Sequence, residues 1–302
     1  MSVVGESYLV GLLGEGVLPS LTPPLHEREA DELGLRYLYR PVDLLAVRDA
    51  RHDPGDDLDA TLGRLLGAAV DLGFSALNIT HPAKQRILDH LDDVSPSAAA
   101  IGSVNTVLLA GGRRVGHNTD VTGFASALRD GLPGADLGHV VVIGAGGAGA
   151  AVAAALLEAG AVRLTIADLD AARAGALASS LAPRFPAAST SGRSSDALPA
   201  LLRDHDDAAT GLVNASFTGM HTHPGIPLDP GLLRPELWVA DVVYRPLDTE
   251  LLRAARAAGC RTLDGGGMAI GQAADAFRLI TETEPDRERM RAHFAELIRE
   301  GR

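Results

Sequence analysis

The sequence predicts an α/β protein of two domains. Two observations predict the class: apolar runs of strand length alternate with helical patterns along most of the chain, and a glycine-rich stretch from Gly144 to Gly149 separates one such run from the next helix. Strands that alternate with helices form mostly parallel sheets. A third observation, the length of 302 residues, predicts two domains because domains usually comprise roughly 100–200 residues.

The composition is that of an ordinary globular protein, with 46% apolar and 22% charged residues. A net charge of −12 would repel phosphate backbones, so we expect no nucleic-acid partner. The single cysteine, Cys260, excludes an internal disulfide and a multi-cysteine metal site, and it fits a reducing cytoplasm. The pair His221 and His223 lacks a third ligand at a recognisable spacing, so we expect a surface loop and no metal there.

Two segments bear on location. Met1–Val10 contains Glu6 and lacks a basic start, so we expect no signal peptide. Val140–Leu157 carries no charged residue, and its length is close to that of a membrane helix. Its first four residues are β-branched and glycines follow, which predicts a strand, a turn and a buried helix instead. We therefore expect a cytoplasmic protein with no membrane partner.

The first domain opens with alternating strands and helices. The predicted strands are Tyr8–Leu13, Tyr37–Val42, Ala76–Ile79 and Val104–Leu109, and the predicted helices are Pro24–Leu33, Leu58–Leu72 and Ala83–Leu91. The helical segments repeat apolar residues at three- and four-residue intervals. Gly34 and Gly73 stand where a glycine ends a helix. The pattern predicts a mostly parallel sheet.

A second alternation follows a connecting helix at Asp120–Arg129. Its predicted strands are His139–Ile143, Arg163–Ala167, Gly211–Asn214, Trp238–Val243 and Thr262–Leu263. Its predicted helices are Ala148–Ala159, Ala171–Leu181 and Thr249–Ala258, and the pattern is helical again from Gly266 to Ile280 and over Asp286–Arg299. Ala187–Ser195, rich in Ser, Thr and Ala, is predicted to be a surface loop.

Residues 144–149 match the pattern G-x-G-x-x-G between a strand and a helix, the context in which this pattern indicates dinucleotide binding. Gly144 permits the tight turn, Gly146 leaves room for the pyrophosphate, and Gly149 lets the helix pack closely against the strand. The N-terminus of the helix then offers amide donors to the anion. The predicted cofactor contacts of this motif are Gly144, Ala145, Gly146, Gly147 and Ala148. The second domain is thus predicted to be a Rossmann-type domain.

Asp168 follows the second strand of this domain, 24 positions after Gly144. An acidic side chain at this position accepts hydrogen bonds from the ribose hydroxyls of NAD, and it would repel the extra phosphate of NADP. Arg173 lies nearby and could instead pair with that phosphate. Another interpretation is that Asp168 merely starts the next helix together with Asp170. The pattern favours NAD.

Polar residues follow the predicted strands of the first domain, where open α/β sheets place ligands. Ser20 and Thr22 are candidates to bind a carboxylate, although either could simply cap the helix that starts at Pro23. Lys84 stands in the first turn of a predicted helix, where a cation opposes the helix dipole. Because such local conflicts tend to mark function, Lys84 is a candidate for acid–base chemistry, the alternative being a solvated surface lysine. Asp120 ends a polar loop just before the helix that leads into the second domain. It could face the cleft as a functional residue, or it could simply be the N-cap of that helix.

Seven motifs resemble those of shikimate dehydrogenases in order and spacing, over nearly the whole chain. They are Ser20–Pro23 (SLTP), Asn78–Lys84 (NITHPAK), Ile101–Thr106 (IGSVNT), Gly116–Asp120 (GHNTD), Asn214–Met220 (NASFTGM), Asp241–Tyr244 (DVVY) and Asp264–Ala274 (DGGGMAIGQAA). The resemblance implies an N-terminal α/β substrate domain of residues 1–120 with 265–302, and an NAD-binding domain of residues 121–264. It places the substrate in a cleft between them.

The resemblance also implies roles for individual residues. Ser20 and Thr22 would bind the substrate carboxylate, and Lys84 and Asp120 would be the catalytic pair. The ring hydroxyls would contact Thr80, Asn105, Asp120 and Gln272, with Tyr244 nearby, and the nicotinamide would lie against Gly265 and Met268.

Two departures from the family pattern refine this expectation. Biosynthetic members usually have two serines in the first motif, and an Asn-Arg-Thr-like run suited to NADP after the second strand. Here Ser20-Leu21-Thr22 and Asp168-Leu169-Asp170 resemble the catabolic, NAD-dependent quinate/shikimate dehydrogenases. We therefore expect NAD as cofactor, and quinate and shikimate as substrates.

Three alternatives stay open: an NADP-dependent biosynthetic shikimate dehydrogenase, an aminoshikimate or aminoquinate dehydrogenase, and a non-catalytic ligand sensor of the same fold. The presence of both Lys84 and Asp120 argues against the sensor. The sequence does not decide whether the protein is a homodimer.

Overall fold

The computed structural model of the chain describes residues 7–51, 57–203 and 208–301. The chain forms two compact units, Met1–Thr119 with Gln272–Arg302, and Asp120–Gly271. The expected boundary after Asp120 differs from this division by one residue, and the expected boundary before Gly265 differs by seven. Met1–Glu6, on which the expected lack of a signal peptide partly rests, lie outside the described residues.

The first unit is built on one sheet with helices packed against it. Its strands are β1 (Ser7–Gly14), β2 (Arg36–Asp43), β3 (Ala76–Ile79), β4 (Asp93–Val94), β5 (Thr106–Ala110) and β6 (Arg113–His117), in the spatial order β2-β1-β3-β5-β6-β4. Strands β2, β1 and β3 pair in parallel, whereas β5 is antiparallel to β3 and β6. The predicted mostly parallel sheet is confirmed, and the carboxyl ends of β1 and β3 lie side by side.

The helices that precede residue 120 are α1 (Thr22–Glu32), α2 (Leu44–Arg51), α3 (Leu58–Asp71), α4 (Ala83–Arg86) and α5 (Pro96–Ile101). Helix α3 shows why the predicted periodicity works. Leu62 and Leu66 are one turn apart on one face of the helix, and both are fully buried in a cluster with Leu77 and Ile79 of β3. Burial of this apolar face holds the helix on the sheet.

The second unit contains a parallel sheet. Its strands are β7 (His139–Ile143), β8 (Arg163–Asp168), β9 (Ser189–Ser194), β10 (Gly211–Asn214), β11 (Trp238–Asp241) and β12 (Arg261–Leu263), in the order β12-β11-β10-β7-β8-β9. Its helices are α6 (Asp120–Gly131), α7 (Gly147–Glu158), α8 (Ala171–Leu181), α9 (Leu198–Arg203) and α10 (Glu250–Ala257). Counted within the unit, this is the strand order 3-2-1-4-5-6 of dinucleotide-binding domains. The predicted Rossmann-type topology is confirmed.

The uncharged segment Val140–Leu157 forms β7 and most of α7, as predicted. Residues 140–142 of the strand and residues 150–156 of the helix are almost completely buried, which explains why neither element carries a charge. Within the described parts of the chain, no helix is both long and apolar enough to cross a membrane.

The chain ends in two helices, α11 (Gly266–Thr281) and α12 (Arg287–Arg299). An ion pair fastens α12 to α1 within the first unit. Glu29, which is 1% exposed, accepts hydrogen bonds from Nε of Arg289 at 2.8 Å and from the amide of Asp286 at 2.7 Å. A carboxylate gripped by an arginine in two places is among the stronger polar contacts in proteins.

The prediction that Ala187–Ser195 is a surface loop is wrong. Residues 189–194 form β9, which pairs in parallel with β8 along its whole length. Because β9 is an edge strand, it is bonded to the sheet on one side only, and none of its residues is fully buried. Such a strand needs no alternating apolar residues, so the hydrophobic pattern does not reveal it.

Two elements that were not predicted have local signals in the sequence. Gly111 and Gly112, with φ of 59° and 76°, form the turn between β5 and β6, and two successive residues with positive φ favour a hairpin. Helix α5 starts after Ser95, which accepts a hydrogen bond from the amide of Ala98, and it ends at left-handed Gly102. These residues are typical capping positions.

Candidate active site

In the first unit, the loops that follow β1 and β3 lie against each other. The amide of Glu15 donates to the carbonyl of His81 at 2.9 Å. A Cβ on Gly14 would lie 2.2 Å from the methyl group of Thr80, so the approach requires glycine. The loop that leads to Ser20 is therefore anchored beside Thr80.

The structure distinguishes Ser20 from Thr22 at the start of α1. The N-cap residue of α1 is Leu21, whose apolar side chain cannot accept a hydrogen bond, and Thr22 is the first helical residue. The Ser20 hydroxyl accepts a hydrogen bond of 3.3 Å from the amide of Thr22. Both side chains are half-buried. Thr22 is therefore not the N-cap, whereas Ser20 makes a cap-type hydrogen bond to an amide of the first turn, so the capping alternative holds for Ser20 alone. The role of both residues in carboxylate binding stays a prediction.

Lys84 lies in α4, which is a single turn followed by a 3₁₀ turn at Ile87–His90. The prediction of one continuous helix over Ala83–Leu91 is wrong in this detail. Because one turn of helix has only a small dipole, the position of Lys84 in this turn is little evidence for a catalytic role. The carbonyl of Lys84 accepts a hydrogen bond of 2.8 Å from the amide of Val104. This bond joins Lys84 to the segment that carries Asn105.

Asn105 is buried, and the described residues surround its side chain with hydrogen bonds. Its Nδ2 donates to the hydroxyl of Thr119 at 2.9 Å, and its Oδ1 accepts from the amide of Thr119 at 2.9 Å and from the hydroxyl of Thr106 at 3.1 Å. The Thr119 hydroxyl in turn donates to the carbonyl of Gln272 at 3.0 Å. Two predicted substrate contacts, Asn105 and Gln272, are therefore connected through Thr119.

Two residues that sequence reasoning gave no role extend this network. Nδ2 of Asn78 donates to the hydroxyl of Thr106 at 2.9 Å and to the carbonyl of Asn105 at 3.3 Å. The hydroxyl of Tyr39 donates to Oδ1 of Asn78. Asn78 is the first residue of the motif Asn78–Lys84, and this motif could have indicated that it belongs to the site. Nothing in the sequence points to Tyr39. Buried polar groups that satisfy one another in this way hold each other in one orientation.

The predicted site residues are divided between the two units. The first unit contains Ser20, Thr22, Thr80, Lys84, Asn105 and Gln272, and the second contains Asp120, Gly144, Ala145, Gly146, Gly147, Ala148, Asp168, Arg173, Tyr244, Gly265 and Met268. Asp120 is the first residue of α6 and is 4% exposed. The pairing of Lys84 with Asp120 stays a prediction.

The glycine-rich turn has the geometry that its sequence predicts. Gly144 has a φ of 102°, in the region that favours glycine. A Cβ on Gly149 would lie 1.9 Å from the carbonyl oxygen of Gly144, whereas a Cβ on Gly146 would meet no atom within 4 Å. The helix α7 thus packs tightly on the turn, and its N-cap residue, Gly146, leaves open space beside the first amides. The arrangement fits a pyrophosphate.

Asp168 ends β8 beside the glycine-rich turn. It accepts hydrogen bonds from the amides of Ala145 at 2.7 Å and Asp170 at 2.9 Å, and it forms an ion pair of 3.1 Å with Arg173. Burial raises the pKa of the Asp168 carboxyl, but these hydrogen bonds and the guanidinium more than offset it, so the pKa lies below its ordinary value. The carboxylate is therefore charged at neutral pH.

The alternative that Asp168 merely starts the helix is wrong. Asp170 is the N-cap residue of α8, and its carboxylate accepts hydrogen bonds from the amides of Ala172 and Arg173. Asp168 instead ends β8 and binds the amide of Ala145 in the glycine-rich turn.

Tyr244, Gly265 and Met268 lie beyond the ends of β11 and β12. A Cβ on Gly265 would come within 2.5 Å of the carbonyl oxygen of Val242 and 2.6 Å of that of Val243. Gly265 therefore packs directly on the backbone that leads to Tyr244. Met268 is buried in the first turn of α11, and Tyr244 is half-buried. Over the described ranges, no group of three or more His, Cys, Asp or Glu side chains could hold a metal ion.

Two family models match the chain. One, described as the shikimate dehydrogenase substrate binding domain, matches residues 12–107, and the other, described as the saccharopine dehydrogenase NADP binding domain, matches residues 140–221. The expected fold class is confirmed: an N-terminal substrate-binding domain is followed by an NAD(P)-binding, Rossmann-like domain, each with helices packed on a sheet.

Curated relatives match over almost the full length. A shikimate dehydrogenase (NADP(+)) of Pseudarthrobacter chlorophenolicus is 57% identical over 99% of this chain and 98% of the relative. A quinate/shikimate dehydrogenase (NAD(+)) of Corynebacterium efficiens is 49% identical over 97% of this chain and 99% of the relative. Among solved structures, the quinate dehydrogenase of Corynebacterium glutamicum in complex with NAD superposes with a TM-score of 0.85, at 47% identity over 96% of this chain and 99% of that one.

Proposed function

The chain belongs to the shikimate dehydrogenase family, and we propose that it is an NAD-dependent quinate/shikimate dehydrogenase. It is an oxidoreductase that acts on shikimate or quinate. In the proposed reactions it interconverts shikimate with 3-dehydroshikimate, and quinate with 3-dehydroquinate. The observation that carries the cofactor choice is Asp168, a charged carboxylate at the end of β8 beside the glycine-rich turn.

The position of Asp168 supports NAD for an electrostatic reason. An acid at the end of the second strand accepts hydrogen bonds from the two ribose hydroxyls of the adenosine. The same negative charge repels the 2′-phosphate of NADP. Arg173 could offset this repulsion, but its guanidinium already pairs with Asp168. The pair leaves little net positive charge for a phosphate.

Overall identity does not decide the cofactor. The relative named for NADP is 57% identical and the relative named for NAD is 49% identical. A second candidate function is therefore an NADP-dependent shikimate dehydrogenase, which the higher identity favours. The local geometry at Asp168 argues for NAD, because cofactor selection depends on the few atoms near the ribose.

In the proposed site, the first unit binds the ring acid. Ser20 and Thr22 would bind the carboxylate with their hydroxyls, and Thr80, Asn105 and Gln272 would contact the ring hydroxyls. Asn105 is suited to this role, because the hydrogen bonds of Thr119 and Thr106 hold its amide in one orientation. A fixed amide selects the position of a hydroxyl better than a mobile one does.

The second unit would hold the dinucleotide at residues 144–148 and Asp168, with Gly265 and Met268 toward the nicotinamide and Tyr244 near the ring hydroxyls of the substrate. When bound, the nicotinamide supplies the hydride acceptor or donor. Lys84 would exchange the proton of the reacting hydroxyl and, as an ammonium group, stabilise the developing oxyanion. In the oxidation, Lys84 would accept this proton as a neutral amine, and Asp120 would orient it and stabilise the ammonium form that results.

Initial rates of nicotinamide absorbance change test the proposal directly, with shikimate and quinate each combined with NAD and NADP. We expect strong rates with NAD on both acids. Activity with NADP and shikimate alone would make the protein a biosynthetic shikimate dehydrogenase. If all four combinations were inactive, the aminoshikimate and aminoquinate analogues would be assayed next, and nicotinamide-nucleotide binding would separate a sensor from an inactive preparation.

A further inference from the structure

A buried carboxylate at the end of β11 is outside the roles considered so far. Asp241 is 2% exposed. Its Oδ1 accepts hydrogen bonds of 3.0 Å from the amide of Val243 and from Nδ2 of Asn214, and its Oδ2 accepts one of 2.7 Å from the hydroxyl of Thr249. All three donors are neutral. A buried carboxylate held by neutral donors is costly, because burial removes it from water and, among the residues that the structure describes, no cation pairs with it.

The pKa of Asp241 shows this cost. Burial raises the pKa of the Asp241 carboxyl to about 6, although the hydrogen bonds from Thr249, Val243 and Asn214 lower it in part. A position that only filled space would be more stable with a neutral residue. The presence of a carboxylate here therefore points to a role that depends on its two oxygens as hydrogen-bond acceptors.

The hydrogen bond from Asn214 to Asp241 fixes the loop that follows β10. Asn214, which is fully buried, uses the rest of its amide within that loop: its Oδ1 accepts from the amide of Ser216 at 3.1 Å and from the Ser216 hydroxyl at 2.7 Å. Its Nδ2 also donates to the carbonyl of Thr218 at 2.9 Å. Because Asp241 sets the orientation of the Asn214 amide, it sets the path of residues 215–218.

The hydrogen bond from Val243 to Asp241 fixes the segment that follows β11. The bond from the amide of Val243 to Asp241 closes a tight turn at the strand end. Gly265 packs against the carbonyl groups of Val242 and Val243, so closely that a Cβ would lie 2.5 Å and 2.6 Å from their oxygens. Any shift of this segment therefore moves both Tyr244 and Gly265.

We propose that Asp241 is a positioning residue for the nicotinamide end of the dinucleotide site, acting through Asn214 and Val243 on the loops after β10 and β11. The inference rests on the proposed function, since it takes these loops to face the dinucleotide. In a doubly wound sheet the first three strands hold one mononucleotide and the next three hold the other. Asp168 and the glycine-rich turn belong to the first half, and Asp241 belongs to the second.

The test compares Asp241→Ala with Thr249→Val in the full-length protein. Thr249→Val removes the third hydrogen bond of Asp241 and the cap of α10, so it lowers stability without touching the two loops. Binding of NADH is measured by the fluorescence of its nicotinamide, and binding of ADP-ribose, which lacks the nicotinamide, by calorimetry. The melting temperature of each variant is recorded, and all binding is measured well below it.

For Asp241→Ala we expect NADH affinity to fall about tenfold, with a changed emission spectrum, while ADP-ribose affinity is unchanged, because a displacement at one end of a site affects the contacts at that end. Thr249→Val should bind both ligands like the wild type, and Asp241→Asn, which keeps an acceptor for both loops, should restore most NADH affinity.

If Asp241→Ala bound NADH normally, or lost both ligands equally, Asp241 would be a structural residue only. These binding measurements do not depend on turnover, so a wild type inactive on all tested acids would refute the proposed function and leave this test intact.

Discussion

The two halves of the second unit end in carboxylates at equivalent places, and the two carboxylates behave in opposite ways. Asp168 ends β8, the second strand of the first half, and Asp241 ends β11, the second strand of the second half. Asp168 has a guanidinium partner, and its pKa is lowered by hydrogen bonds and charge in spite of burial. Asp241 has only neutral donors, and burial raises its pKa to about 6.

Asp168 and Asp241 thus occupy equivalent positions in the sheet but differ in their surroundings. The topology of a doubly wound sheet brings both strand ends to the side where ligands bind, but the neighbours of each carboxylate decide what it does. In the proposed function, the charge beside the glycine-rich turn would bind a ribose. A charge enclosed by Asn214, Val243 and Thr249 organises the protein's own loops.

The largest effect is expected for Lys84→Ala, which tests whether only the two halves of the second unit bind the dinucleotide. Lys84 lies in the first unit, and its replacement should lower turnover by at least about 100-fold because the proton-transfer group is removed. The affinity for NADH should stay at the wild-type value. Steady-state rates and NADH fluorescence titrations measure the two quantities. Arg86→Ala, in the same short helix and exposed, is the matched control and should keep both.

Near-normal turnover of Lys84→Ala would remove this residue from its proposed role. A parallel loss of NADH affinity would show that the two units do not divide the binding as described.

The next effect concerns the turn that Asp168 faces. Gly149→Ala places a methyl group 1.9 Å from the carbonyl oxygen of Gly144, so α7 must move away from the turn, and we expect NADH affinity to fall roughly tenfold to a hundredfold. Gly175→Ala, in the middle of α8, meets no atom within 4 Å. This control should keep the affinity and raise stability by about 0.5–1 kcal/mol. Equal NADH affinity in both variants would contradict the tight packing.

Asp168→Ser tests the proposed contact between Asp168 and the ribose of the cofactor. Without the acid, Arg173 loses its partner and can pair with a 2′-phosphate, so the ratio of kcat/KM for NAD to that for NADP should fall by about tenfold or more. Asp170→Ser, which replaces the N-cap of α8 with another good cap, is the control and should keep the ratio. An unchanged ratio in Asp168→Ser would mean that Asp168 does not select the cofactor.

The smallest expected effect is on the pH dependence of stability. The folded pKa of Asp241, about 6, lies above the ordinary value of 3.8, so its stabilising contribution is complete below pH 3.8 and is lost as the pH rises through 6. The folded pKa of Asp168 is lowered, so its contribution is present above pH 3.8 and is lost only at lower pH.

Between pH 4.5 and 7.5, Asp241→Asn should therefore gain a few degrees in melting temperature relative to the wild type as the pH rises. Asp168→Asn should keep a constant difference over the same range. Calorimetric melting curves at several pH values measure this, and a constant difference for Asp241→Asn would show that its carboxyl titrates normally.

Much of the fold and part of the site could be predicted from the sequence, because their causes are local. The strands β3, β7 and β10 and the helix α8 begin and end at the predicted residues. The roles of Gly144 and Gly149 follow from backbone geometry within six residues. Edge strand β9 could not be predicted, because a strand bonded on one side needs no apolar pattern.

The motif residues were named correctly as members of a family, but their contacts could not be worked out from the sequence. The sequence points to Lys84 partly because a lysine in the first turn opposes the helix dipole, but this helix is a single turn. Only the three-dimensional structure shows that Ser20, and not Thr22, accepts a hydrogen bond from an amide at the start of α1. In both cases the backbone conformation over one turn of helix, and not the residue type, decides whether the residue interacts with a helix end.

By itself, the sequence determined the α/β class, the dinucleotide turn and the presence of an acid after its second strand, since each depends on residues close together in the chain. Only the tertiary structure decided which polar groups hold one another. Tyr39, Asn78 and Asn105 form one network, and Asn214, Asp241 and Thr249 form another, although their members lie up to tens of residues apart. Hydrogen bonds and burial depend on distances in space, and these are set only when the strands have taken their places in the sheet.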